Sequence, residues 1–82
     1  MATHTHRFVE DYAGLVGFGL DRPTDESTLL VYLQKFSDDA LAGMLVPRLS
    51  DAELSELFDL MNRFMRRHLS EEEYHRLFLK EA

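Results

Sequence analysis

Apolar residues recur three and four positions apart along most of the chain, which is the spacing of amphipathic α-helices. The longest stripe lies within residues 51–67 and consists of Leu54, Leu57, Phe58, Met61, Phe64 and Met65. The same spacing predicts four shorter helices, at about 6–17, 25–35, 38–46 and 71–80. We place the end of the 38–46 helix at its last residue because the next residue, Pro47, disfavours helical geometry there.

One segment also suits a β-strand. Residues 28–33, TLLVYL, are rich in β-branched and aromatic side chains. We predict a helix for them because a capping signal stands upstream and the segment continues through Gln34 and Lys35.

Ser or Thr residues stand before acidic first turns at four places, 24–27, 37–40, 50–53 and 70–73. A hydroxyl there accepts a hydrogen bond from a free N–H group of the first helical turn, and acidic side chains suit the positive end of the helix dipole. Two of these starts, Ser50 with Glu53 and Ser70 with Glu73, match a complete capping box. Segments 49–58 and 69–78 share several residues, as either a duplicated unit or one helix start used twice.

The second predicted helix has almost no polar side between residues 29 and 33, LLVYL. A helix that is apolar all round is typically buried on several sides. A chain of 82 residues offers little material to surround it, since it buries only about 60–65% of its unfolded surface. We therefore predict an all-α fold, a compact orthogonal or bundle-like array of about five short helices completed by homo-oligomerisation. Residues 1–82 are expected to form one domain with residues 1–5 frayed.

Composition narrows the classes of function. There is no cysteine, which excludes disulfides and thiolate metal ligands. The net charge of −6 opposes binding to nucleic acid or to anionic membranes. The apolar segment 12–20 is too short to span a bilayer and lacks the basic flank of a signal peptide. A cytoplasmic protein is the resulting expectation.

Acidic residues also oppose a helix-turn-helix reading of the turn at 46–50. The helix after that turn would have to present its N-terminal part to DNA phosphates, and that part carries Asp51, Glu53, Glu56 and Asp59. We expect no nucleic-acid partner.

Residues 66–78, RRHLSEEEYHRLF, hold the densest group of candidate metal ligands. Glu72 and His75 form a Glu-x-x-His step, which places two ligands on one helix face, and His68 lies nearby. The alternative interpretation is a helix boundary, with a basic end followed by a capped acidic start. We prefer the boundary, and a metal-binding protein using His68, Glu72 and His75 stays the second hypothesis.

No phosphate-binding loop or nucleophile elbow is present, so we predict no enzyme activity and no cofactor. The function expected is that of a small acidic adaptor, self-associating and binding unknown protein partners. Its predicted anchors are Leu30, Tyr32, Leu33 and Phe36, followed by Met61, Phe64 and Met65.

Overall fold

A computed structural model describes residues 5–81, and every regular element within them is a helix. The α-helices are α1 (Arg7–Asp11), α2 (Arg22–Phe36), α3 (Asp39–Leu45), α4 (Asp51–His68) and α5 (Glu71–Glu73). A 3₁₀ turn, Val46–Arg48, follows α3, and a π-helical turn, Tyr74–Phe78, continues α5. The all-α prediction and the helical state of residues 28–33 are thus confirmed, whereas the predicted orthogonal or bundle-like packing stays a prediction.

The chain divides into two units, the first ending at Arg48 and the second beginning at Leu49. The expected single domain over 1–82 stays a prediction. Of the segment expected to fray, residues 1–4 lie outside the described residues. Thr5 is described, and both its backbone N–H and its hydroxyl donate to Asp38 Oδ1, at 2.8 and 2.9 Å.

Helix α1 ends at Asp11 and not at residue 17 as predicted. Glycines at 14 and 17 each disfavour helix by about 1 kcal/mol relative to alanine. The Tyr12 ring lies where a side chain on residue 14 would project, and its hydroxyl donates to the Leu15 carbonyl at 2.9 Å. The segment after α1 is consequently a loop, with Gly19 in the left-handed region at φ +91°.

Helix α2 begins three residues before the predicted start, because the capping residue is Asp21 and not Thr24. The Asp21 side chain accepts from the Thr24 N–H at 2.9 Å. Pro23 falls within the first turn, where its missing N–H costs nothing. Hydrogen bonds from the backbone and the side chain of Thr24 lower the pKa of the Asp21 carboxyl.

Side chains of α2 bind the backbone of the segment that precedes it. The Thr28 hydroxyl accepts from the Gly17 N–H at 3.0 Å and donates to the Gly17 carbonyl at 3.1 Å. Gln34 Oε1 accepts from the Val9 N–H, and Asp25 Oδ1 accepts from the Gly19 N–H, both at 2.8 Å. The first unit is therefore held together largely through the polar side chains of α2.

Helix α3 is capped by Asp38, and not by Ser37 as the sequence pattern predicted. Ser37 ends α2 instead, and its hydroxyl lies 2.7 Å from His6 Nε2. Asp38 accepts from the Ala40 N–H at 3.2 Å in addition to its bonds from Thr5. The bonds from Thr5, chiefly, lower the pKa of the Asp38 carboxyl.

The second unit contains both predicted capping boxes, and both are confirmed. In α4 the Glu53 N–H donates to Ser50 Oγ at 3.1 Å, and the Ser50 N–H donates to Glu53 Oε1 at 2.9 Å. Ser70 and Glu73 repeat this geometry at 3.1 and 2.8 Å. The Ser70 bonds, together with Arg76, lower the pKa of Glu73.

The last helix is shorter than the predicted 71–80. Its final turn is π-helical, with the Leu79 N–H donating to the Tyr74 carbonyl at 3.1 Å, and the Tyr74 and Phe78 rings stack at 5.2 Å. Lys80 has φ +61°, which ends the helical path.

Within the described chain α2 is not buried on several sides, and its burial in a homo-oligomer stays a prediction. Among residues 5–81 the buried side chains are Thr28, 3% exposed, and Val31, 4% exposed. Both lie on the side of α2 that meets the N-terminal segment. The apolar side chains around the rest of α2 remain in contact with solvent.

Candidate protein-interaction surfaces

The exposed side of α2 is apolar. Leu29, Tyr32, Leu33 and Phe36, three and four residues apart, lie on one side of the helix, which we call the α2 face, and Leu30 lies at its edge. All five side chains are between 46% and 55% exposed. Thr28 and Gln34 bind the backbone of the N-terminal segment, so polar side chains of α2 are used within the first unit while large apolar ones contact solvent.

A small recess adjoins the α2 face. It has a volume of about 280 Å³ and is lined by Phe18, Thr28, Leu29 and Tyr32. Phe18 is among the most exposed large apolar side chains described, so the apolar surface continues from α2 onto the preceding loop. A flat side chain of another protein could pack against the α2 face, and a protruding one could enter the recess.

A shallow groove of about 550 Å³ lies at the junction of α2 and α3. Apolar side chains of α3 line it, together with the basic residues Lys35 and Arg48. Asp38, which also lines it, is occupied by its bonds to Thr5 and Ala40. The groove therefore extends the apolar surface of the first unit and adds positive charge beside it.

The second surface is the stripe of α4, which we call the α4 face: Leu54, Leu57, Phe58, Met61, Phe64 and Met65. Five of these six side chains are between 39% and 62% exposed, and Met65 is half-buried. Arg63 lies over the Phe64 ring at 5.2 Å, and the Phe64 and His68 rings lie 6.5 Å apart.

All seven predicted anchors lie on one of these two helices, and in the first unit the prediction left out Leu29 and Phe18. Leu29 occupies the middle of the α2 face, and its spacing to Leu33 and Phe36 was a usable signal. Phe18 lies in the loop after α1, where no helical spacing marks a residue as part of a surface. Leu30, in contrast, lies at the margin and not at the centre.

The structure does not bring the predicted metal ligands together. Across the described residues no group of three or more His, Cys, Asp or Glu side chains could hold a metal ion. His75 Nδ1 lies 2.7 Å from Glu81 Oε1, which makes Glu81 its partner in place of Glu72. His68 is exposed beside Phe64.

No helix within residues 5–81 combines the length and the apolar character needed to cross a membrane. Comparison of the chain with protein-family models, curated proteins and solved structures found no match.

Proposed function

We propose that this chain is a non-catalytic adaptor of the cytoplasm that binds other protein chains, including copies of itself. The observation that carries the proposal is the exposed apolar side of α2. Its polar residues Thr28 and Gln34 fasten the helix to its own unit, while four large apolar side chains face outward. Exposed apolar patches of this kind mark protein-binding surfaces.

The composition of the α2 face supports a protein partner. Tyr32 and Phe36 are the residue types enriched at the centres of protein interfaces, and the recess beside Phe18 offers a pocket for an anchoring side chain. The net charge of −6 favours protein partners over nucleic acid and anionic membranes. The α4 face provides a second surface on the same chain.

The test is a comparison of the full chain with Tyr32→Asp and with Glu56→Lys. Tyr32 is half-exposed, so the substitution is compatible with the fold, and far-ultraviolet circular dichroism verifies that helix content is retained. Glu56 is exposed and lies opposite the α4 face, so Glu56→Lys controls for a change of charge.

Losing an aromatic anchor and desolvating a charge costs about 2 kcal/mol or more at an interface, which is about thirtyfold in affinity. We expect immobilised wild type and Glu56→Lys to retain the same proteins from the source cell, and Tyr32→Asp to lose them. Identical behaviour of all three chains in this assay and in sedimentation velocity would refute the proposal.

A further inference from the structure

The α4 face has the repeat of a two-helix coiled coil. Leu54, Met61 and His68 are seven residues apart, and Leu57 and Phe64 repeat the same interval three residues later. These are the a and d positions of a heptad, whose seam fits one partner helix. Helix α4 has 18 residues and so offers a seam about 27 Å long.

One edge of this seam carries a second heptad series, at the positions labelled g. It consists of Glu53, Leu60 and Arg67, with acid at one end, base at the other and an apolar residue midway. The whole helix is divided in the same sense. Its first half carries Asp51, Glu53, Glu56 and Asp59, and its second half carries Arg63, Arg66, Arg67 and His68.

We propose that the occupant of the α4 face is the α4 face of a second copy of this chain, packed antiparallel. One antiparallel register pairs both the seam positions and the g positions of the two helices. With Leu60 of each copy adjacent at the two-fold axis, Glu53 lies opposite Arg67 of the second copy, and Arg67 lies opposite its Glu53. The same register places Leu54 opposite Phe64 and Leu57 opposite Met61, so that apolar residues fill the middle of the seam.

Charge decides the orientation. An antiparallel pair sets the acidic half of each helix beside the basic half of the other and opposes the two helix dipoles. A parallel pair sets like halves side by side and gives neither Glu53 nor Arg67 a partner of opposite charge. A shift of the antiparallel register by one heptad shortens the overlap and places Glu53 opposite Leu60.

Both charged side chains are available for this pairing. Within residues 5–81 Arg67 is exposed and has no acidic partner. Glu53 uses Oε1 in the capping box, which fixes the carboxylate at the start of α4 and leaves Oε2 to accept from Arg67 of the second copy. The inference rests on the proposed function, since it names the partner for one of its two surfaces.

Orientation is tested by cross-linking, for which the absence of cysteine from the chain is convenient. Under mild oxidation we expect Leu60→Cys to form a disulfide-linked dimer, because the two copies of residue 60 adjoin the axis. Leu54→Cys should not link to itself, since its two copies lie about 15 Å apart along the axis. A mixture of Leu54→Cys and Phe64→Cys chains should give the mixed dimer. Self-linking of Leu54→Cys would overturn the inference in favour of a parallel pair.

The charge pairing is tested by sedimentation equilibrium on Glu53→Gln, Arg67→Gln and the double variant. Glutamine preserves the capping box, so the first variant changes charge without removing the cap. We expect each single variant to weaken dimerisation about fivefold, and the double variant to weaken it little further, because both remove the same two contacts.

Glu56→Gln and Arg66→Gln are the matched controls, since they make the same charge changes on the outer side of α4. Equal effects of controls and test variants, additive effects in the double variant, or a monomer throughout the micromolar range would each overturn the inference. These outcomes leave the loss of partners by Tyr32→Asp as a separate result, so failure of the dimer and failure of the proposed function are distinguishable.

Discussion

The buried hydroxyl of Thr28 provides the sharpest test of how the first unit is held together. Thr28→Val keeps the shape of the side chain and removes its two hydrogen bonds to Gly17, of 3.0 and 3.1 Å. Thr28→Ser keeps the hydroxyl and removes one methyl group. The pair therefore separates hydrogen bonding from packing at a single position.

Thr28→Val is expected to destabilise the protein more than Thr28→Ser. Each hydrogen bond contributes about 0.5–1.5 kcal/mol, and Gly17 is only half-buried, so water replaces part of what is lost. We expect Thr28→Val to lower the free energy of unfolding by about 2 kcal/mol. Thr28→Ser should lower it by about 1 kcal/mol, the contribution of one buried methyl group.

Urea denaturation followed by circular dichroism at 222 nm, a helix band, measures both variants against wild type. Amide hydrogen exchange adds a local readout, since the Gly17 N–H should lose protection in Thr28→Val and keep it in Thr28→Ser. Should Thr28→Val prove as stable as wild type, or more stable than Thr28→Ser, polar fastening of α2 would be disproved.

Three further outcomes are expected. Ser50→Ala should lower the free energy of unfolding by about 1 kcal/mol, measured by urea denaturation, and a loss as large from Ser55→Ala, within the same helix but outside the cap, would contradict the capping assignment. Gly19→Ala should destabilise the chain by about 1 kcal/mol and Gly43→Ala should stabilise it by about as much. An added methyl group would meet no neighbouring atom at either position, so the two opposite effects would come from backbone conformation. Melting temperatures that shift in the same direction in both variants would contradict this explanation. Hydrogen bonds from Thr5 hold the pKa of the Asp38 carboxyl below the ordinary aspartate value of about 3.9. Their contribution to stability is therefore present above about pH 3.9 and is lost as the pH falls through the lowered pKa of Asp38. Urea midpoints from pH 7 to about 2.5 should therefore fall less in Asp38→Asn than in wild type, and equal slopes would contradict this.

Local signals in the sequence predicted the second unit well. The capping boxes at Ser50 and Ser70 involve residues three apart, and a pattern over so short a distance determines its own geometry. The apolar stripe of α4 likewise reports a helix whatever packs against it. These features depend on few or no distant contacts, and for that reason a sequence alone reveals them.

The first unit was predicted less well, in part because distant contacts determine it. Asp38 caps α3 in place of Ser37 and is bound by Thr5, more than thirty residues away in sequence. Asp21 caps α2 through Thr24, three residues away, so at that helix start two local capping residues compete and the sequence pattern does not choose between them. Nothing local to TLLVYL indicates that Thr28 and Val31 would be its buried residues. The anchors on α2 were identified as apolar, but their exposure follows from which side the N-terminal segment covers.

Within residues 5–81, Val31 is the one apolar side chain that is buried, and this has a calorimetric consequence. The heat-capacity change of unfolding scales with the apolar surface that becomes exposed. A chain whose leucines and phenylalanines already contact water should show a small heat-capacity change when it unfolds alone. Association that covers the α2 and α4 faces should instead carry a large negative one. Most of the heat-capacity signature of this protein is therefore expected in its binding equilibria and not in its folding.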